Sequence, residues 1–227
     1  MSGGGRERSS TDAALDAHLP ALILATRSEG KVRELAAMCA ARGRAAIDLR
    51  VAGLLEEEDP AEETLEVHDT FEANARAKAA WFAERLPGQI VVADDSGLEV
   101  VALGGRPGVR SKRWTGSLAT GAALYAENNA ALLRALDGAA DRRARFVCVM
   151  VARCGDQEWI GRGSCEGRIL ETPVGSEGFG YDPLFWSDEL GAAFGTVGRE
   201  AKGRVSHRAR AFAALLEAVE RTAPRTG

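Results

Sequence analysis

QIVVADDSGLEVVAL, residues 89–103, places two adjacent acids at the end of an apolar, β-branched run and follows them with Ser96 and Gly97. The pattern predicts a buried strand, a turn at Asp95-Ser96-Gly97, and a second strand. A charge at the end of an apolar strand is costly unless it is paired or holds a metal. Neighbours on extended backbone face opposite ways, so one of Asp94 and Asp95 points at a ligand while the other supports the turn or reaches a metal through water. An Asx turn in a hairpin is the alternative use of the same residues. The phosphatase pattern DxDx[TV] is not matched.

Working upstream, ALILA (21–25) is a short apolar run that stops at polar TRSEGK, and KVRELAAMCAA then repeats Val32, Leu35, Ala36 and Met38 at helical spacing. This is strand, loop, helix. The acidic LLEEEDPAEETLEVHDT (54–70) predicts loop or short helix, and a helix runs from about Phe71 to Leu86, closed by Pro87-Gly88. Downstream, GGRPGVRSKRWTG is loop and ALYAENNAALLRAL a helix, while ARFVCVMVAR and QEWIGRGSCEGRI form a long strand pair joined near Gly155-Asp156. A last helix starts near Ser206 and turns Ala209, Phe212, Leu215, Leu216 and Val219 inward. Early alternation followed by a late hairpin predicts an α/β fold with a mixed, strongly twisted sheet, as an elongated two-lobed single domain with a central cleft.

A chain of 227 residues can bury the core of one such domain, and 45% hydrophobic with 27% charged residues is a globular composition. The net charge of -4 argues against a nucleic-acid coat protein, so any phosphate chemistry belongs to a local pocket. Cys39, Cys148, Cys154 and Cys165 form no CxxC pair and no zinc spacing with the three histidines, which suits reduced thiols in a cytoplasm. The opening MSGGGRERSSTDAALDAHLP lacks the apolar core of a signal peptide or membrane anchor. Residues 1–20 are expected as a flexible tail and 222–227 as a frayed end around a 21–221 domain.

Five further segments carry candidate chemistry. Thr26, Arg27, Ser28, Glu29, Gly30 and Lys31 lead from a strand into a helix N-terminus, where backbone N–H groups and the dipole favour an anion. This is no Walker A loop, since Ala25 stands where Gly is needed and Val32 where Ser or Thr is needed. Glu62 and Glu63 either lie on a solvated acidic face or supply hard oxygen to Mg2+. Asn74 and Lys78, at i and i+4, share one helix face. In GSEGFGYDPLFW (175–186) glycines flank Phe179 and Tyr181; glycine admits close backbone approach and an exposed ring can stack on a base. SHRARA offers Ser206 as N-cap, with His207 and Arg208 as cations opposing the helix dipole, a donor pair suited to a 6-oxo purine; Lys202 upstream approaches phosphate. Taken singly, each segment is also accounted for by a capped helix, a core aromatic or screened surface charge.

In their order, TRSEGKVREL, AEET, TFEANARAKA, ADDSGLEV, GRPGVRSKRW, GFGYDPLF and SHRARA closely resemble the inosine/xanthosine triphosphate pyrophosphatase family, from about Leu22 to the final helix. Ordered agreement over all of them is far more specific than any one segment. The resemblance implies a homodimer that uses Mg2+ to hydrolyse ITP, dITP and XTP to the monophosphate and pyrophosphate, clearing them from the nucleotide pool. It implies that Thr26 to Lys31 contact the triphosphate with Asn74 and Lys78 nearby, that Glu63 and Asp95 hold the metal, that Asp95 is the base, and that Ser96 touches substrate. Phe179, Gly180, Tyr181 and Asp182 frame the base, and Lys202, His207 and Arg208 close the site. Two departures stand out. Ser28 replaces the family's common Asn, and AEETLEVHDTFEANA is longer than the usual AEETGxTFxENA, which opens the register between Glu62 and Glu63. The alternatives are a Maf-type nucleotide pyrophosphatase, against which GFGYDP and SHR argue, and a nucleotide-binding module without turnover.

Overall fold

The computed structural model describes residues 21–54 and 59–222, apart from the side chains of Pro60, Glu63 and Thr222. The expected tail at 1–20 and residues 223–227 of the expected frayed end lie outside the described residues, while Thr222 still belongs to the last helix. Seven strands form one mixed sheet in the order β2-β1-β3-β4-β5-β6-β7. They are β1 (Leu22–Leu24), β2 (Ala46–Asp48), β3 (Ile90–Val100), β4 (Arg143–Cys154), β5 (Gln157–Ile169), β6 (Phe185–Ser187) and β7 (Ala192–Ala193). β1 runs parallel to β2 and β3, and every later pairing is antiparallel.

The helices are α1 (Glu29–Ala40), α2 (Phe71–Arg85), α3 (Gly121–Ala135), α4 (Arg199–Val205) and α5 (His207–Thr222). Because side chains alternate along a strand, β1 and β3 feed two different cores. Leu22, Leu24, Ile90 and Val92 pack with Leu35 and Met38 of α1 and with Phe212 and Leu215 of α5. Ile23, Val91 and Ala93 pack with Phe71, Ala75, Ala79 and Phe82 of α2 on the other face. A third cluster, including Leu98, Phe146, Phe185 and Phe194, fills the far end of the long strands. α1 connects β1 to β2 and α2 connects β2 to β3, each on its own face, so the strand order reverses between β1 and β3. Open α/β sheets bind ligands at such a switch point, outside the strand ends.

β3 corrects one expectation. It runs unbroken from Ile90 to Val100, with Asp95 opposite Val149, Ser96 opposite Cys148 and Gly97 opposite Val147 on β4. There is no turn at Asp95-Ser96-Gly97. Gly97 stands in the strand because the 3-10 turn Gly108–Arg113 docks on its bare backbone: a Cβ would overlap the Gly108 carbonyl oxygen and come 2.5 Å from Ser111 Oγ. Ser111 Oγ accepts from the Leu98 N–H at 2.8 Å and donates to the Gly108 carbonyl at 2.6 Å, closing the contact.

β4 and β5 pair over their whole length and turn between Cys154 and Gln157, as the sequence predicts. α5 lies directly on β5, since a Cβ on Gly161 or Gly163 would run into the backbone of Ala211 or His207. Its predicted inner residues Ala209, Phe212, Leu215, Leu216 and Val219 are all buried. The acidic stretch forms a 3-10 helix, Pro60–Glu66, and α2 begins at Phe71 as expected, with Thr70 Oγ1 accepting from the Ala73 N–H. Among the described residues no helix is long and apolar enough to cross a membrane.

Candidate active site

Asp94 lies on the α1/α5 face of β3, fully buried, with Lys31 Nζ at 3.1 Å and Arg208 Nε at 3.4 Å from Oδ2. Ser96 Oγ donates to the same oxygen at 3.2 Å and accepts from Arg208 at 2.8 Å. Burial alone would push the Asp94 carboxyl up, but Lys31, Arg208 and Lys78 outweigh it and hold it well below its usual range. Its Oδ1 is buried and has no hydrogen-bond partner among the described residues.

Asp95 faces α2. Oδ2 accepts from Asn74 Nδ2 at 2.9 Å and Oδ1 from the Ser96 N–H at 3.0 Å. The Asn74 amide is oriented by the His68 N–H, which donates to its Oδ1 at 2.9 Å. Burial dominates the Asp95 carboxyl and outweighs Lys78, Lys31 and the Asn74 hydrogen bond, with Glu66 adding repulsion, so its pKa is raised. A buried carboxylate short of positive charge is suited to a cation or a proton.

Lys78, one helical turn after Asn74, donates to the Asp94 carbonyl oxygen and to Glu66 Oε1, the latter at 2.6 Å. Glu66 is 33% exposed at its side chain; burial works against its ionisation, but Lys78 and Lys31 prevail and hold its pKa at about 2. Glu62 is engaged elsewhere: its carboxylate accepts from Arg27 Nε at 2.7 Å and caps the Asp59 N–H. The side chain of Glu63 lies outside the described residues.

The third group gathers around Glu34, buried on α1. Glu34 accepts from Lys202 at 2.7 Å and from Arg208, and Lys202 also donates to Asp182 Oδ2 at 2.6 Å. That Asp182 oxygen accepts the Phe179 N–H at 2.8 Å. Burial disfavours the Lys202 ammonium, yet Asp182 and Glu34 keep it protonated. Phe179, half-buried, packs on the backbone of Gly30, where a Cβ would come within 2.7 Å of the ring; Lys202 Nζ stands 5.0 Å from the ring centroid. Tyr181 instead points into the core and donates to the Ser111 carbonyl at 2.9 Å. His207 is buried and stacked 4.7 Å from Phe146, and burial with the Arg208 and Lys202 charges keeps its imidazole neutral.

The TRSEGK loop closes the arrangement at the N-terminus of α1. Ser28 holds the N-cap position without a side-chain cap hydrogen bond, the Ser28 N–H donates to Thr26 Oγ1 at 3.3 Å, and Glu29 pairs with Arg33 at the surface. Side-chain contacts thus link segments 26–31, 74–78, 94–96, 179–182 and 202–208 beyond the end of β1.

A model of the Ham1 family matches residues 22–218. The chain belongs to the Ham1 family. It is 40% identical over 213 residues to the dITP/XTP pyrophosphatase of Bordetella pertussis, covering 92% of this chain and 96% of that one. It is 43% identical over 199 residues to the dITP/XTP pyrophosphatase of Geobacillus kaustophilus, covering 86% and 92%. Among solved structures it resembles a HAM1 protein from Coxiella burnetii, with a TM-score of 0.74 at 30% identity over 90% of this chain and all of that one. It also resembles the Staphylococcus aureus Ham1 protein, with a TM-score of 0.71 at 32% identity over 88% and 98%.

Within this Ham1 family chain, sequence reasoning missed Glu34 and Glu66. Glu34 is four residues from both Gly30 and Met38, so it falls on the buried face of α1, where the apolar count of Val32, Leu35 and Met38 passes over it. Its cationic partners lie 168 and 174 residues away along the chain. Glu66 was one acid among many in an acidic run, and only the fold shows which of them meets Lys78.

Proposed function

We propose that this protein hydrolyses noncanonical purine nucleoside triphosphates, ITP, dITP and XTP, to the monophosphate and pyrophosphate. The observation that carries the proposal is Asp95, a buried carboxylate of raised pKa held by Asn74 beside Lys78 at the sheet's switch point. The names and identity of the curated relatives support the substrate class.

The acid-rich site suits Mg2+, a hard cation that takes one or two carboxylates and leaves its other positions to water and phosphate oxygens. Asp95 would supply one carboxylate, and Glu63 or Glu66 of the Pro60–Glu66 turn would supply the second. The ion, when bound, screens the negative charge of the triphosphate and favours attack at phosphorus. Asp95 accepts the proton of a water that attacks the α-phosphorus, and the bond to the leaving pyrophosphate breaks without a covalent intermediate. Lys31, Lys78, Thr26, Ser28 and the α1 N-terminus, flanked by Arg27 and Glu29, hold the phosphates in line. Ser96 positions the substrate, fixed by Arg208 and Asp94.

Phe179 provides the stacking face for the base, with Gly30 against its ring and Gly180, Tyr181 and Asp182 shaping the segment behind it. Arg208, with neutral His207 and Lys202, presents donors to the O6 acceptor of hypoxanthine or xanthine. Adenine offers an amino donor at that position and leaves these buried donors unpaired. A homodimer and a cytoplasmic location complete the proposal and rest on the family resemblance.

Hydrolysis of ITP in 18O-labelled water tests the chemistry. Label in IMP, with unlabelled pyrophosphate, is expected; label in orthophosphate with IDP as product refutes attack at the α-phosphorus.

A further inference from the structure

Phe179 is held on more sides than the residues proposed to bind substrate account for. Its ring rests on Gly30 and its N–H is taken by Asp182. Two residues of α3 complete the seat. Tyr125 places its ring centroid 6.3 Å from that of Phe179, the planes tilted by 45°, within the range of an attractive aromatic pair. Asn129 Nδ2 donates to the carbonyl oxygen of Gly180, the next residue, at 3.1 Å.

Tyr125 and Asn129 are four residues apart, so they stand one above the other on one face of α3. The helix itself is fastened. Asn128, buried, accepts from the Thr115 N–H at 3.2 Å and donates to the Lys112 carbonyl at 3.1 Å, tying α3 to the end of the Gly108–Arg113 turn and to the chain just after it. α3 therefore offers a fixed support, and the two side chains it points at the 179–180 segment transmit that rigidity to the ring. The Tyr125 hydroxyl makes no hydrogen bond among the described residues, so its ring is the part that the contact uses.

We propose that Tyr125 and Asn129 are positioning residues that fix the height and plane of the Phe179 ring and thereby set the preference for a two-ring base. The inference rests on the reading of Phe179 as the base's stacking face. A platform that cannot tilt rewards the larger overlap of a purine. A loosened ring loses that overlap while leaving the phosphate contacts, on other elements, untouched.

The test compares the wild type with Tyr125→Leu, Tyr125→Phe, Asn129→Ala and Phe179→Leu. The readouts are KM and kcat for ITP and for CTP, and the inhibition constant of inorganic triphosphate, which has no base. Tyr125→Leu and Asn129→Ala are expected to raise KM for ITP by on the order of ten-fold, part of what base stacking on an aromatic contributes. The ITP over CTP preference falls accordingly, and inhibition by inorganic triphosphate stays unchanged. Tyr125→Phe restores the wild-type values, because the ring is kept. If Phe179→Leu raises KM for ITP while Tyr125→Leu and Asn129→Ala leave it alone, the positioning role is wrong. Equal weakening of ITP and inorganic triphosphate would make the two residues merely structural and overturn the proposal. An unchanged KM in Phe179→Leu would remove the base platform itself.

Discussion

Asp94 and Asp95 are consecutive on β3 yet face opposite sides of the sheet, and only Asp94 is matched by cations at ion-pair distance. Asp94 is driven toward ionisation by Lys31 and Arg208, whereas burial holds the Asp95 carboxyl above its usual range. The period-2 geometry of a strand thus separates an acid paired with cations from one whose charge burial disfavours.

Different losses follow from removing each. Asp94→Asn leaves Lys31 without its carboxylate and Arg208 with Glu34 alone, and breaking such a buried pair costs about 3–5 kcal/mol. Asp95→Asn removes a charge that burial disfavours, so denaturant unfolding should show little loss or a gain in stability. Its turnover, in contrast, should fall by roughly 10²–10⁴, the usual contribution of a general base. Equilibrium unfolding and pyrophosphate release on both variants check the pair.

The acids of the Pro60–Glu66 turn separate in the same way. Glu62 is committed to Arg27 and the Asp59 N–H, so Glu62→Gln should leave the Mg2+ requirement as it is. Glu66 stands by Lys78 and acts on Asp95, so Glu66→Gln should raise the Mg2+ concentration for half-maximal activity by about 10-fold, within the range seen when metal-site partners are removed. A magnesium titration of activity for Glu62→Gln, Glu63→Gln and Glu66→Gln decides which acid serves the metal.

His207 makes stability depend on pH. Its folded pKa lies well below the ordinary 6.5, because burial and the charges of Arg208 and Lys202 oppose the imidazolium. Below about pH 6.5 the unfolded chain takes up a proton that the folded chain refuses, so this contribution is intact above that pH and is lost as pH falls. The slope approaches about 1.4 kcal/mol per pH unit until the folded pKa is reached. His207→Gln should flatten the stability profile between pH 6.5 and 5, measured by urea unfolding. An unchanged slope would mean that the buried ring is already charged.

Much of the fold was legible in the sequence because its signals are local. The apolar β-branched run at Ile90–Val92, the helical spacing in α5 and the Pro87-Gly88 stop each depend on neighbours within a few residues. Gly97 was not legible in this way. A glycine after Asp-Ser reads as a turn, and only the docking of Gly108 and Ser111, more than ten residues on, reveals a straight strand that needs bare backbone. Glu34 was hidden for the opposite reason: an acid in an amphipathic helix reads as surface until Lys202 and Arg208 arrive from the far end of the chain. The grouping of Asn74, Lys78, Asp95, Phe179 and Arg208 as candidates could be read from ordered motifs. The division of labour between Asp94 and Asp95 required the sheet.

The most direct test of the proposed activity is kcat/KM for Mg2+-dependent pyrophosphate release from ITP and from ATP under identical conditions. Donors facing O6 predict a preference for ITP of at least about 100-fold, since adenine leaves buried donors unpaired at a cost of about 1–3 kcal/mol each. Equal values, or a preference for ATP, would contradict the assignment of the site to noncanonical purine nucleotides.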